Sequence, residues 1–221
     1  MRLALIVPDG VGVRNFILGP FLGELGQHDS VWIFQAIPSA QLQEYSSLAA
    51  GRASWEALIS YRETTLAHIL HNCLSHAHMY WVDTHCMRYK RTVPVKGAWR
   101  GKLVRHGARL VGRLLARPDG IKWLSRAHCW ALSGALEVQQ YRRLLQSMRA
   151  TVVLCASQRS FHSLAPVLAA RSLGVPTVAF VVSWDNLTTK TRIVAPFDHY
   201  LVWSDHMRGE LLRYHREVPS E

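Results

Sequence analysis

Short aliphatic runs, each closed by a polar turn, constrain this chain most. Leu3–Val7 is a continuous apolar stretch that stops at Pro8-Asp9-Gly10. A run of that length, apolar at every position, suits a strand buried on both faces of a parallel sheet. Phe16, Ile17, Phe21, Leu22 and Leu25 then follow at helical spacing, predicting a helix from about Arg14 to Gly23. Ser30–Ile37 reads as the second strand. Strand, helix and strand within forty residues make a βαβ unit with a right-handed crossover. The same alternation returns late in the chain. Thr151–Ala156, Thr177–Val182 and Asp198–Trp203 read as strands. Ser160–Leu173 reads as a helix stopped by Gly174 and Pro176, and Ser204–Tyr214 as a helix with Ser204 at its N-cap.

Between these halves the pattern is helical. Trp55–His78, Gly97–Ala116, Ile121–Ala131 and Leu136–Arg149 all carry helical periodicity. The expected architecture is therefore a three-layer α/β/α, Rossmann-like domain with a mainly parallel sheet and a helical insertion over about 39–149. The 221 residues suffice for one such domain.

Charge is concentrated in that insertion. Residues 88–126 hold twelve of the 26 Lys and Arg but only one acid, Asp119, of the 15. The rest of the chain is balanced, with fourteen of each sign, so this segment carries the whole formal +11. Lys102, Arg105, Arg109 and Arg113 recur at three- and four-residue steps, with Leu103, Leu110, Val111, Leu114 and Leu115 on other faces and Trp99, Trp123 and Trp130 nearby. This is the composition of a helix lying on an anionic membrane. A solvated helix face is the alternative. No nucleic-acid-binding module is legible. No window approaches 18 uninterrupted apolar residues, so no transmembrane helix is expected. Cys73, Cys86, Cys129 and Cys155 form no CxxC pair, the thiol usage of a reducing, cytoplasmic compartment.

In an open parallel sheet, ligands bind beyond the carboxyl ends of the strands. Four polar segments fall there: Asp9–Asn15, Ser157–Arg159, Ser183–Lys190 and Ser204-Asp205. Asp9 is a candidate general base, with a turn or capping role as the alternative. Gly10, Gly12, Arg14 and Asn15 form a permissive turn that lets an acceptor or phosphate reach the backbone. The glycine spacing loosely matches a dinucleotide loop. However, the third Gly is missing, and Ile37 and Pro38 stand where an acid should close the second strand, which disfavours a nucleotide-dependent oxidoreductase. Ser157 and Arg159 are further acceptor contacts. Trp184 can stack on a sugar ring while Asp185, Asn186, Ser183 and Lys190 supply polar contacts; alternatively Asp185 and Asn186 hold a turn and Trp184 is core. His68, His71, Cys73, His76, His78, His85 and Cys86 crowd the insertion, but no spacing matches a zinc motif, and no metal site is expected.

One block carries a family resemblance. Ser183, Trp184, Asp185, Asn186, Leu187, Thr188 and Lys190, then Asp198, Val202, Trp203, Ser204, Met207, Glu210 and Leu211, resemble a stretch near the end of the N-terminal domain of bacterial GT-B glycosyltransferase-like proteins. These include CDP-glycerol glycerophosphotransferases and surface-polysaccharide transferases. The match covers about forty residues and departs at Thr191, where a Gly would be expected. The resemblance implies the acceptor-side half of a two-domain transferase. Asp9 and Asp185 would be its catalytic candidates; Gly10, Gly12, Arg14, Asn15, Ser157, Arg159, Ser183, Trp184, Asn186, Lys190 and Ser204 would contact the acceptor. It implies no bound cofactor, a nucleotide-activated donor held by a C-terminal domain, and a lipid-linked or polyanionic acceptor. The expected location is cytoplasmic, peripheral to the inner membrane face. The sequence ends where that donor domain would begin, so this half alone is expected to be inactive. The competing expectation is a non-catalytic binding or scaffold module pairing with a separate donor chain.

Overall fold

A computed structural model describes residues 1–48, 53–94, 99–190, 192–215 and 218. Thr191 and the first two positions, 97 and 98, of the helix expected over Gly97–Ala116 lie outside them. The chain divides into two compact units. One comprises residues 1–61, 135–182 and 197–201; the other comprises 62–134, 183–196 and the chain from 202 onward.

The first unit is built on six parallel strands: β1 (Arg2–Val7), β2 (Ser30–Gln35), β3 (Ala53–Ala57), β4 (Val152–Cys155), β5 (Thr177–Phe180) and β6 (His199–Leu201). Their order is β3-β2-β1-β4-β5-β6, and every neighbouring pair is parallel. Helices cover both faces. Side chains alternate along a strand. Leu3, Leu5, Val7, Val31 and Ile33 accordingly meet Val13, Phe16, Ile17 and Leu22 on one side. On the other, Phe34 packs edge-on to Tyr141 of α7 (Leu136–Ser147), their centroids 5.5 Å apart, and α8 (Leu164–Ser172) packs on β4 and β5. This is the expected three-layer, Rossmann-like α/β/α arrangement.

Three local expectations need correction. The segment after β1 is not one helix. A short α1 (Gly10–Gly12) passes into a π-helical turn (Val13–Ile17), and a separate 3-10 turn covers Pro20–Leu22. Proline lacks an N–H and disfavours helix at the preceding residue, and Gly19 is extended (φ −83°, ψ 179°). The long helix expected over Trp55–His78 is a strand and a helix. Ala53–Ala57 is the edge strand β3, and α3 (Thr65–Val82) begins only after Thr64 caps it, its hydroxyl accepting from Ala67 N at 3.2 Å. An edge strand held by backbone pairing to Val31–Gln35, mostly exposed, has no apolar run to announce it. Finally, α2 (Ser39–Leu48), β3 and α7 belong with the sheet, so the helical segment is shorter than 39–149.

The second unit holds α3, α4 (His85–Thr92), α5 (Trp99–Leu114), α6 (Pro118–Ser133), α9 (Asn186–Thr189) and α10 (Asp205–Tyr214). Cys73, Leu74 and Ala77 of α3 form its main core with Ala108, Ile121 and Leu124. The α3–α5 contact is close. A Cβ on Gly112 would lie 2.6 Å from His76 Cβ and 2.8 Å from both Ala77 N and Cys73 O. Among the described residues no helix is long and apolar enough to cross a membrane.

Candidate functional site

The strand order reverses direction of growth between β1 and β4, which puts the loops after these two strands at the switch point. Gly12 is the point where α1 meets the sheet. A Cβ there would sit 3.0 Å from Ala156 Cβ and 3.1 Å from Val7 Cγ1. Asp9 precedes it in extended conformation (φ −153°, ψ 170°) and caps α1, its Oδ1 accepting from Gly12 N at 2.9 Å. Among the described residues Oδ2 has no partner, and the side chain is exposed. The capping reading of Asp9 is met through Oδ1, while Oδ2 stays open to solvent.

The same carboxylate corrects the phosphate expectation. The Gly12 N–H that would meet a phosphate is already engaged, and Asp9 would repel the anion. What opens beside Asp9 is instead a mostly apolar cavity of about 250 Å³, lined by Asp9, Gly10, Leu18, Ile37, Gln41 and Tyr45 among others. It lies over the ends of β1 and β2. An apolar lining with a carboxylate at the rim is the usual make-up of a small-molecule site. Arg14 is exposed and Asn15 half-buried, with Arg14 Nε donating to Asn15 Oδ1 at 3.1 Å; neither lines the cavity. Ser157 is buried, its carbonyl accepting from Ser163 Oγ at 3.2 Å, and Arg159 is exposed.

Ser183, Trp184, Asp185, Asn186, Lys190 and Ser204 belong to the second unit. Asp185 Oδ2 accepts from Thr189 Oγ1 at 3.1 Å and lies 3.7 Å from Lys190 Nζ. Hydrogen bonding from Ser183, with Thr189 and Lys190 adding to it against a small desolvation penalty, holds its carboxyl below the usual range. From α4, Thr84 Oγ1 donates to Thr188 O at 2.9 Å and Lys90 donates to Thr189 O. Asp185 is thus a turn-holding residue, as one of the two sequence readings had it. Trp184 goes the other way: at 70% exposure it is not core, and its ring is free to stack. Ser204 spends its hydroxyl on capping α10, accepting from Met207 N at 3.3 Å.

The basic helix α5 is built inside out. At about 100° per residue, Trp99, Leu103, Leu110 and Leu114 fall within about 60° of one another. All four are 61–70% exposed. Ala108 and Gly112, the residues facing α3, lie on the opposite side and are buried. Lys102, Arg109 and Arg113 flank the exposed stripe. Arg109 is half-buried and donates to Arg91 O, and Arg105 is also half-buried; Lys102 and Arg113 are exposed. On α6, Trp123 and Trp130 share a face and are 58% and 72% exposed.

Sequence reasoning saw only part of one cluster. Glu63, two residues before α3, receives three imidazoles. His68 Nδ1 lies 3.0 Å from Oε2, His71 Nδ1 3.1 Å from Oε1, and His128 Nε2 3.4 Å from Oε1. Burial opposes the charge, but the hydrogen bonds from His128, His71 and His68 outweigh it and hold the Glu63 carboxyl well below its ordinary value. Arg192, itself buried, reaches His128 Nδ1 at 3.1 Å. A guanidinium can only donate, so His128 Nδ1 accepts and its proton sits on Nε2, aimed at Glu63. Burial, with Arg192 and His71 adding to it, lowers the His128 pKa against the pull of Glu63, keeping the ring neutral. His68 and His71 were visible in the sequence, and Glu63 lies only five residues before His68, but His128 and Arg192 are distant from them in it.

No family model matches the chain, and no curated protein matches it significantly. The fold and the sheet-edge cavity define a Rossmann-like α/β protein carrying a basic helical unit.

Proposed function

We propose that this protein is the acceptor-side half of a GT-B-type transferase, acting on a lipid-linked or cell-envelope acceptor. The observation that carries the reading is the cavity over β1 and β2 with Asp9 at its rim. An Asp with one oxygen fixed and the other open can take the proton from an acceptor hydroxyl as its oxygen attacks the anomeric carbon of a nucleotide sugar or the glycerol-bearing phosphorus of a nucleotide-activated glycerophosphate, the bond to the nucleotide's phosphate breaking and the nucleotide leaving. The apolar lining matches a sugar or lipid-borne acceptor better than a free phosphate. The resemblance around Ser183–Lys190 supports the same assignment, with the exposed Trp184 as a stacking surface. The nucleotide-activated donor falls to a donor domain, in the same or a separate chain. Asp9 and Gly10 are the residues on which the reading depends; in the other unit Asp185, Asn186 and Ser204 shape their own turns.

A second observation favours a membrane-borne acceptor. The apolar stripe of α5 faces outward with cations beside it, the arrangement of an interfacial helix whose apolar side enters the acyl boundary while Lys and Arg meet anionic headgroups. Peripheral attachment to the inner membrane face follows from this reading.

The test is incorporation of label from a panel of nucleotide-activated donors into lipid or polymer, in membranes from cells expressing the natural gene product. Asp9→Asn keeps an acceptor for the cap, since Asn caps as well as Asp, but removes the base. A loss of 10²-fold or more, the usual scale of general-base catalysis, is expected with folding intact. Unchanged incorporation with Asp9→Asn sinks the assignment of Asp9, and no incorporation from any donor sinks the transferase.

A further inference from the structure

Three imidazoles on one carboxylate are more than a carboxylate needs for its own neutralisation, and they are not equivalent. Glu63, His68 and His71 present one ligand atom each, all within 4.8 Å of one another. His68 and His71 stand at i and i+3 on the first turns of α3, and residues at that spacing share a helix face. Glu63 comes from the segment leading into the same helix, so one short stretch of chain fixes the whole triad. His68 is 58% exposed at its side chain, whereas Glu63 is 14% and His71 22% exposed, which leaves the triad reachable from one side. His68 also lines a groove of about 450 Å³ with Ile69, Asn72, Val104 and Arg105.

His128 plays a different part. With Arg192 on Nδ1, its Nε2 carries a proton and cannot ligate; it donates to Glu63 Oε1 instead. A buried donor that orients a ligating carboxylate is what metal centres use around their first ligands. We infer that Glu63, His68 and His71 form a binding site for a late first-row divalent cation such as Zn²⁺, with His128 and Arg192 holding Glu63 in place. Two imidazoles and a carboxylate suit that class of metal. Three protein ligands leave a fourth tetrahedral position for water or substrate, the layout of an open rather than a structural zinc site. Ligation through Nδ1 requires that nitrogen of His68 and His71 to be unprotonated, with the ring proton on Nε2. The site is additional to the acceptor cavity and does not depend on the transferase reading.

The test is titration of the whole protein with Co²⁺, followed by its visible ligand-field absorption, and competition with Zn²⁺ against a colorimetric chelator. One equivalent per chain is expected, with a rise in melting temperature on Zn²⁺ addition. His68→Gln, at an exposed position that should not disturb folding, and His71→Gln are each expected to abolish the absorption. His106→Gln, on α5 and outside the triad, should leave it unchanged. His128→Asn should weaken binding by about 10–100-fold without changing the stoichiometry, the range seen when an orienting partner is removed. Wild-type protein that binds no Co²⁺ overturns the inference. So does a folded His68→Gln, His71→Gln double variant that binds Co²⁺ as tightly as wild type.

Discussion

Two glycines on α5 separate packing from propensity. Gly112 is buried against α3, and a Cβ there meets His76 Cβ at 2.6 Å and two backbone atoms at 2.8 Å. Carbon atoms settle at about 3.5 Å or more, so Gly112→Ala must part the helices by roughly 0.9 Å or distort one of them. Two of the three obstructing atoms are backbone and cannot swing aside. The cost therefore belongs at the upper end of overpacking, about 3 kcal/mol. Alanine returns about 1 kcal/mol of helix propensity, for a net loss of about 2 kcal/mol. Gly107, five residues earlier and exposed, has nothing within 4 Å of its Cβ. Gly107→Ala gains the propensity alone, up to about 1 kcal/mol. The two variants should then differ by about 3 kcal/mol in urea unfolding followed by far-UV circular dichroism, with Gly112→Ala the weaker. If they agree within about 0.5 kcal/mol, the usual scatter of surface substitutions, α5 does not turn Gly112 toward α3. Its apolar stripe would then lose the orientation that the membrane reading needs.

Further outcomes follow from individual groups. Glu63 has a depressed folded pKa, so its contribution is fully present above its ordinary value of 4.5 and is lost as pH falls through the folded value. The stability gap between wild type and Glu63→Gln, measured by urea titration at a series of pH values, should shrink on acidification below about 4.5; a constant gap contradicts the cluster. Burial pushes the Cys155 thiol up to about 12, and Cys73 is buried and raised as well. A thiol reagent should label Cys86 and Cys129 in the native protein and reach Cys73 and Cys155 only on unfolding. Vesicles containing anionic lipid should co-sediment the protein, with binding that falls as salt rises. Replacing Leu103 and Leu110 by Ser should reduce that binding at constant charge, whereas equal binding to neutral vesicles at high salt contradicts the headgroup pairing.

The parallel sheet was legible because β1, β2, β4 and β5 are buried or half-buried along most of their length and so write themselves as apolar runs. β3 was not, since an exposed edge strand such as Ala53–Ala57 draws its stability from backbone pairing, which leaves no side-chain pattern. Asp9 was legible because short polar residues after a strand are few. Which of its two oxygens is spent on the cap was not, because that depends on Gly12 N arriving 2.9 Å from Oδ1. Basic periodicity made α5 visible, yet which face it turns outward depended on the small residues Ala108 and Gly112, whose meaning appears only against α3. In the Glu63 cluster, residues 63, 68 and 71 are local, but their meeting with 128 and 192 is made by tertiary packing, beyond the reach of any local spacing rule.

The acceptor assignment meets its most direct test in saturation-transfer NMR on the protein with a panel of neutral oligosaccharides and glycerol phosphate, beside nicotinamide dinucleotides. The account predicts contact with a hydroxyl-bearing acceptor, shift perturbations at Gly10, Gln41 and Tyr45, and loss of that contact when Leu18→Trp fills the cavity. Dinucleotide binding at those residues, or acceptor binding unaffected by Leu18→Trp, would contradict it.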